Sequence, residues 1–298
     1  MHQFKKLFFL AVSAAILSVQ AYALPLVSPA ESQTRIDSMS SKILNVNRKY
    51  SVYLPKSYLI HTEKKYPVLY LLHGLYDNNK GWLEGGNLQY IANEVIDNDK
   101  ACEMIIVVPD AGTVKDGYFN TEGWPYETFF FDEFIPFIEK TYRILGDKSH
   151  RAIAGYSMGG GGATVYALEH PDMFSSVYAM SALMTLPKRD RTTPPKQDGA
   201  PVKDPKMVEF GKSVLANDCI VLLSFSDDAT LEKYRTIRWF LDCGDDDFLL
   251  DVNFRFYQEM QKAKVPCELR VRDGGHDWEY WRPALQMALP FVSDGFGK

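Results

Sequence analysis

The chain has 298 residues, 46% of them hydrophobic and 24% charged, a composition that excludes disorder, collagen and coiled coil. Its 33 basic and 38 acidic residues leave a net charge of −5, which supplies no basic footprint for nucleic acid or an anionic membrane surface. A folded chain of this length buries roughly three quarters of the surface its unfolded form exposes, enough for one large domain.

The first 23 residues read as a signal peptide. Lys5 and Lys6 make a positive start, Leu7 to Leu17 is an apolar run too short to span a bilayer, and Ala21-Tyr22-Ala23 has the small-x-small form of a cleavage site. Cleavage after Ala23 removes two lysines and no acids, leaving residues 24–298 as a single domain with 31 basic and 38 acidic residues. The next cysteine is Cys102, which argues against a lipid anchor, and no later apolar stretch reaches the roughly 20 residues of a membrane span. The expected product is soluble, periplasmic or secreted, with no stable membrane insertion and no nucleic-acid partner.

Beyond about Asn45, apolar runs of strand length alternate with segments of helical period, which predicts a mostly parallel sheet with helices on both faces. Strands are expected at Tyr50 to Leu54, Val68 to Leu72 and Met104 to Val108, with a helix from Leu88 to Val95 before the last of these. A helix is expected over Phe129 to Tyr142, capped by Thr128. A short strand at Arg151 to Ala154 precedes a helix from Gly162 to Leu168, stopped by His170-Pro171. Strands at Ser176 to Met180 and Arg238 to Leu241 flank an insertion from about 185 to 236, rich in turn formers between Arg191 and Pro201. A helix over Val252 to Ala263, a strand over Cys267 to Val271 and a helix over Trp278 to Leu289 close the chain. Cys102, Cys219, Cys243 and Cys267 contain no C-x-x-C pair, and buried free thiols are the expected state.

Gly155-Tyr156-Ser157-Met158-Gly159 is a G-x-S-x-G motif between a predicted strand and a predicted helix. Serine is a weak nucleophile and must be held on a sharp turn, projecting towards a base, with glycines where side chains would collide. Gly159 to Gly162 open a helix although each disfavours it by up to about 1 kcal/mol relative to alanine, which calls for close approach to a neighbour or a phosphate cradle. The phosphate readings fail: G-x-G-x-x-G requires glycine at Thr164, and a Walker motif ending in Gly211-Lys212-Ser213 requires it at Lys206.

The serine needs a histidine base and a carboxylate to orient it. Of six histidines, His2 lies in the leader, His61 among polar residues, and His150 and His170 at positions suited to the surface or a cap. His276, in the loop between the last strand and the last helix, stands where the chain order Ser, Asp, His puts the base. His73 reads as loop scaffold, and the following Gly74 lets the Leu75 amide turn towards an oxyanion together with that of Met158. Asp242, Asp245, Asp246 and Asp247 all qualify as the acid, and periodicity does not choose between them.

The segments Leu71-Leu72-His73-Gly74 with Trp82, Ile153 to Gly160, Asp242-Cys243-Gly244 with Asp247-Phe248-Leu249, and Gly275-His276-Asp277-Trp278 resemble the esterase D and feruloyl esterase-like branch of the α/β-hydrolase superfamily. The resemblance implies an α/β-hydrolase fold and a carboxylic ester hydrolase with Ser157, His276 and Asp247 as its triad; the apolar residues of the insertion suffice for a small packed cap, with a surface excursion packed on the sheet's helices as the alternative. The acid falls on Asp247 as the last aspartate of a Cys-Gly-x-x-Asp pattern, with Asp246 one residue away as the alternative. Exported members of the branch mostly deacylate plant cell-wall carbohydrate, so the expected substrate is a small-molecule or polysaccharide-linked ester, with neither metal nor organic cofactor required. Trp82 and Tyr126 are the candidate aromatic neighbours of the acyl group, with the insertion as a further wall. Acetyl-xylan or short-chain esterases, acyltransferases of the mycolyltransferase type and a catalytically silent carbohydrate-binding protein are the alternatives.

Overall fold

The computed structural model describes residues 31–112, 117–187 and 205–297. The segment read as a signal peptide and the turn-forming stretch from Arg191 to Pro201 lie outside these. Eight strands form one sheet. Gln33–Ser41 (β1) pairs antiparallel with Val46–Leu54 (β2), and β2 antiparallel with Ile105–Pro109 (β4). From β4 onwards every pairing is parallel: Val68–Leu72 (β3), then, past the two-residue hairpin strands β5 (Asn120–Thr121) and β6 (Trp124–Pro125), Arg151–Tyr156 (β7), Ser176–Met180 (β8), Arg238–Gly244 (β9) and Cys267–Arg272 (β10). The spatial order is β1-β2-β4-β3-β7-β8-β9-β10.

The four central parallel strands are buried along their whole length, because helices cover both faces and leave no side for polar residues. Alternate residues feed two cores. Leu69, Leu71, Ile106 and Ala154 face Gly81–Glu84 (α1), Leu88–Asp97 (α2) and the closing helix α10 (Trp278–Ser293). Tyr70, Leu72, Val107 and Ile153 face Tyr126–Phe129 (α3), Ile135–Thr141 (α4), Met158–Glu169 (α5), the insertion helices and Leu250–Lys262 (α9).

The helix expected over Phe129 to Tyr142 is three pieces, because a wide turn at Phe130–Phe134 separates α3 from α4. Thr128 is not its cap: it lies inside α3, and its amide and hydroxyl bond the side chain of Asn120 in the hairpin. β1 went unseen because it is a polar edge strand whose place is set by backbone pairing to β2. The insertion carries Pro205–Ala216 (α6), Cys219–Ser224 (α7) and Asp228–Arg235 (α8). Its second half packs on the sheet's helices, with Cys219 Sγ 3.9 Å from Gly161 O and Tyr234 Oη donating to Leu168 O at 3.0 Å, both in α5. All four cysteines are unpaired; Cys219 and Cys243 are buried as expected, but Cys102 is exposed and Cys267 half-buried.

The glycine run at the start of α5 is explained by close approach. A Cβ on Gly159 would stand 2.6 Å from the carbonyl oxygens of Leu72 and His73, and one on Gly161 would strike Leu183 O. At the far end of α5 the carboxylates of Glu127 and Glu169 meet His170. Burial, and then the neighbouring Glu127 carboxylate, push Glu169 up from 4.5 to about 8, while His170 Nε2 bonds Glu127 at 2.9 Å. The folded protein therefore keeps a proton on Glu169 that the unfolded chain releases. The stability this contributes is complete below about pH 4.5 and is lost as pH rises through about 8. Glu169→Gln, which keeps a donor but does not titrate, is expected to raise Tm relative to wild type at pH 9, with the difference vanishing near pH 5; thermal melts across that range check it.

Candidate active site

Ser157 is the residue between β7 and α5, at φ 55° and ψ −120°, a conformation that costs on the order of 1–3 kcal/mol and persists only where its surroundings enforce it. They do so here. Its N–H donates to Met180 O at 2.9 Å, and its own carbonyl accepts from Gly161 and Leu183. Tyr156, just before it, stacks on Trp281 at 4.1 Å and donates its hydroxyl to Asp77 at 2.5 Å, tying the turn to the loop after β3.

His276 and Asp247 come from loops following the neighbouring strands β10 and β9. His276 Nδ1–H donates to Asp247 Oδ2 at 2.9 Å, which leaves Nε2 to accept from the Ser157 hydroxyl at 2.9 Å. Burial pushes the Asp247 carboxyl up. Hydrogen bonds from His276, Ser181 and the Leu249 amide more than offset this and hold it below the usual carboxylate range, so it is ionised at neutral pH. The imidazole is wedged between the edge of Trp281, 5.0 Å between centroids, and the ring of Phe248 at 4.6 Å.

The surplus of aspartates is resolved by position. Asp242 lies within β9, fully buried, and accepts from Tyr178 Oη at 2.7 Å, Tyr280 Oη at 2.5 Å and the Arg270 guanidinium. Asp245 and Asp246 face solvent, and Asp245 Oδ1 accepts the Gly274 amide at 3.1 Å. Of the four candidates, Asp247 alone is bonded to His276.

His73 is buried scaffold. Its Nδ1–H donates to Gly74 O at 2.8 Å and its Nε2 accepts from Ala111 N–H at 3.0 Å, so both ring nitrogens are committed to the loop and burial keeps the ring neutral. Gly74 admits the Tyr156 ring, which no Cβ would allow, and Gly159 admits the carbonyls of Leu72 and His73. Together these contacts press the loop carrying Leu75 against the first turn of α5, where Met158 begins the helix. Among the described residues neither amide has a hydrogen-bond partner in the protein.

Trp82 and Tyr126 require correction as substrate neighbours. Both are 0% exposed. Trp82 Nε1–H donates to Leu72 O at 3.1 Å and its ring packs edge-on against Tyr156 and Trp278, while Tyr126 Oη donates to Asp110 O at 3.1 Å. Each braces a site loop from beneath. The exposed aromatics beside the site are Tyr76, which follows Leu75 and reaches Met207 Sδ in α6 at 3.6 Å, and Phe248. Sequence reasoning singled out neither, since nothing in a one-residue aromatic signal distinguishes an outward ring from a core one. Gly117 faces both Met158 Sδ and Phe210, at 3.8 and 4.0 Å from where its Cβ would be, so α6 lies beside the start of α5.

A mostly parallel sheet with a strained serine at the end of a central strand, and an aspartate and a histidine delivered by the next strands, defines an α/β-hydrolase. The profile of the family described as Putative esterase matches residues 41–292, and the chain belongs to that family. An endo-1,4-beta-xylanase/feruloyl esterase of Xylanibacter ruminicola is 32% identical over 244 residues, which cover 79% of this chain and 28% of that protein; the chain thus spans little more than a quarter of that relative. An acetyl esterase of Caldicellulosiruptor saccharolyticus is 23% identical over 234 residues, covering 76% of this chain and 82% of that one. The solved structure of a ferulic acid esterase is 50% identical with a TM-score of 0.83, covering 89% of this chain and 99% of that one. The region shared with these esterases is that of a carboxylic ester hydrolase. Among the described residues no helix is long and apolar enough to cross a membrane.

Proposed function

We propose that the protein is an exported serine esterase of the feruloyl-esterase type, which removes acyl groups from plant cell-wall carbohydrate through Ser157, His276 and Asp247. The observation that carries the mechanism is the unbroken relay of hydrogen bonds from Ser157 Oγ through His276 to Asp247. Ser157 Oγ attacks the ester carbonyl carbon as its proton passes to His276 Nε2, and the carbonyl electron pair moves onto oxygen, facing the Leu75 and Met158 amides. Collapse of this tetrahedral species breaks the bond to the alcohol oxygen, which takes the proton from His276. Water then attacks the acyl-Ser157 ester by the same route, with His276 as base, and frees the acid.

The 50% identical ferulic acid esterase supports an aromatic acyl group. So does the exposed surface of Tyr76 and Met207, which meet at the loop carrying Leu75, because an aromatic acyl group buries more area against such side chains than acetate does. Methyl ferulate is expected to show a higher kcat/KM than a matched acetyl ester. A preference for acetate in that panel shifts the assignment to a short-chain esterase, the reading the acetyl esterase relative favours. Export rests on residues 1–23, and N-terminal sequencing of the mature protein tests it by a start at Leu24.

A further inference from the structure

Phe248 occupies an unusual place for a phenylalanine. Its ring touches His276 on one side and is 64% exposed. The chain holds it there, because Asp247 before it is buried and bonded while Leu249 after it is buried at the head of α9, with Leu249 N–H donating back to Asp247 Oδ1 at 2.8 Å. A ring pinned between two buried neighbours is a rigid apolar surface, and its contact with His276 puts that surface at the rim of the site.

The chemistry of His276 decides which part of the ligand that is. Nε2 must hand its proton to the departing oxygen, so the alcohol half of the ester leaves past the imidazole, whereas the acyl half stays bonded to Ser157. We infer that Phe248 is the platform for the alcohol half of the substrate, a neutral sugar ring whose C–H face stacks on the phenyl ring. The negative face of an aromatic ring attracts such polarised C–H groups. The charge beside it agrees: the exposed carboxylates of Asp245, Asp246 and Asp273 gather in the adjoining turns, where they repel an anionic alcohol and offer acceptors to hydroxyl groups. The inference rests on the carbohydrate-ester reading above and adds to it the binding surface for the sugar.

The test compares wild type with Phe248→Ala and Phe248→Tyr on two ferulate esters that differ only in the alcohol, methyl ferulate and a feruloylated arabinoxylan oligosaccharide, and on the corresponding acetyl pair. The readout is the ratio of kcat/KM for the oligosaccharide ester to that for the simple ester of the same acid. Phe248→Ala is expected to lower this ratio about tenfold, mainly through KM, as loss of one aromatic stacking contact does, and Phe248→Tyr to restore it. An unchanged ratio in Phe248→Ala overturns the inference, and so does an equal loss on both alcohols, which would mean that the ring acts only through His276. Failure of the feruloyl assignment is seen separately, as wild-type activity confined to the acetyl pair, in which case the acetyl ratio still decides the role of Phe248.

Discussion

Ser157→Ala is expected to lose ester hydrolysis by at least about a thousandfold while remaining folded, because removal of a triad nucleophile leaves only binding and oxyanion stabilisation. The fold does not depend on the hydroxyl. The turn is held by backbone bonds from Ser157 to Met180, Gly161 and Leu183, all of which alanine keeps. The serine's backbone strain makes a companion prediction: Ser157→Gly should be equally inactive yet more thermostable than wild type, since glycine relieves φ 55°, ψ −120°. Steady-state kinetics on a small activated ester, circular dichroism and thermal melts check these outcomes. A fluorophosphonate probe should label the wild-type peptide containing Ser157 and fail to label either variant. Near-wild-type turnover by Ser157→Ala would discard the mechanism and favour a binding protein or a different nucleophile.

Asp247→Asn is expected to lower kcat on the order of ten thousandfold, because the amide no longer holds the Nδ1–H tautomer of His276 or balances the imidazolium that forms in the transition state. Asp247 is ionised and bonded to that nitrogen at 2.9 Å, so the whole effect should fall on this position. Asp246→Asn, at an exposed carboxylate away from the imidazole, should stay within about twofold of wild type. Asp245→Asn weakens only the acceptor for Gly274 N–H and should cost less than about tenfold, by loosening the loop that presents His276. A large loss confined to Asp246→Asn would place the acid one residue earlier than the geometry does.

The proposed nucleophile and base were legible in the primary structure because each rests on a local constraint: a glycine-flanked serine between a strand and a helix, and a histidine in the loop before the last helix. The acid was legible only through the Cys-Gly-x-x-Asp pattern of the family the chain resembles, which put it on Asp247, and not through the chemistry of the residues themselves. Four aspartates within six residues carry the same chemistry, and their roles separate only when β9 buries Asp242 against Arg270 and two tyrosines and the loop beyond turns Asp245 and Asp246 to solvent. Trp82 and Tyr126 were misplaced for a related reason. An aromatic residue near a site motif can pack beneath a loop or line its mouth, and which it does depends on the partners brought to it, here Leu72 O for one and Asp110 O for the other.

What the sequence determined by itself was the succession of strands and helices, since periodicity and runs of apolar residues are properties of neighbours in the chain, and with it the fold class and two members of the site. Tertiary structure decided what depends on residues far apart in the chain. It paired the polar edge strand β1, used the glycines of α5 to let the helix meet Leu72, His73 and Leu183, and sent half of the insertion onto the sheet's helices while α6 stayed beside Met158. It also chose Asp247 and left Phe248 facing outward against His276. The physical reason is common to all of these: burial, strain and hydrogen-bond satisfaction are set by what surrounds a side chain in space, and a linear pattern records only what lies along its own strand or helix.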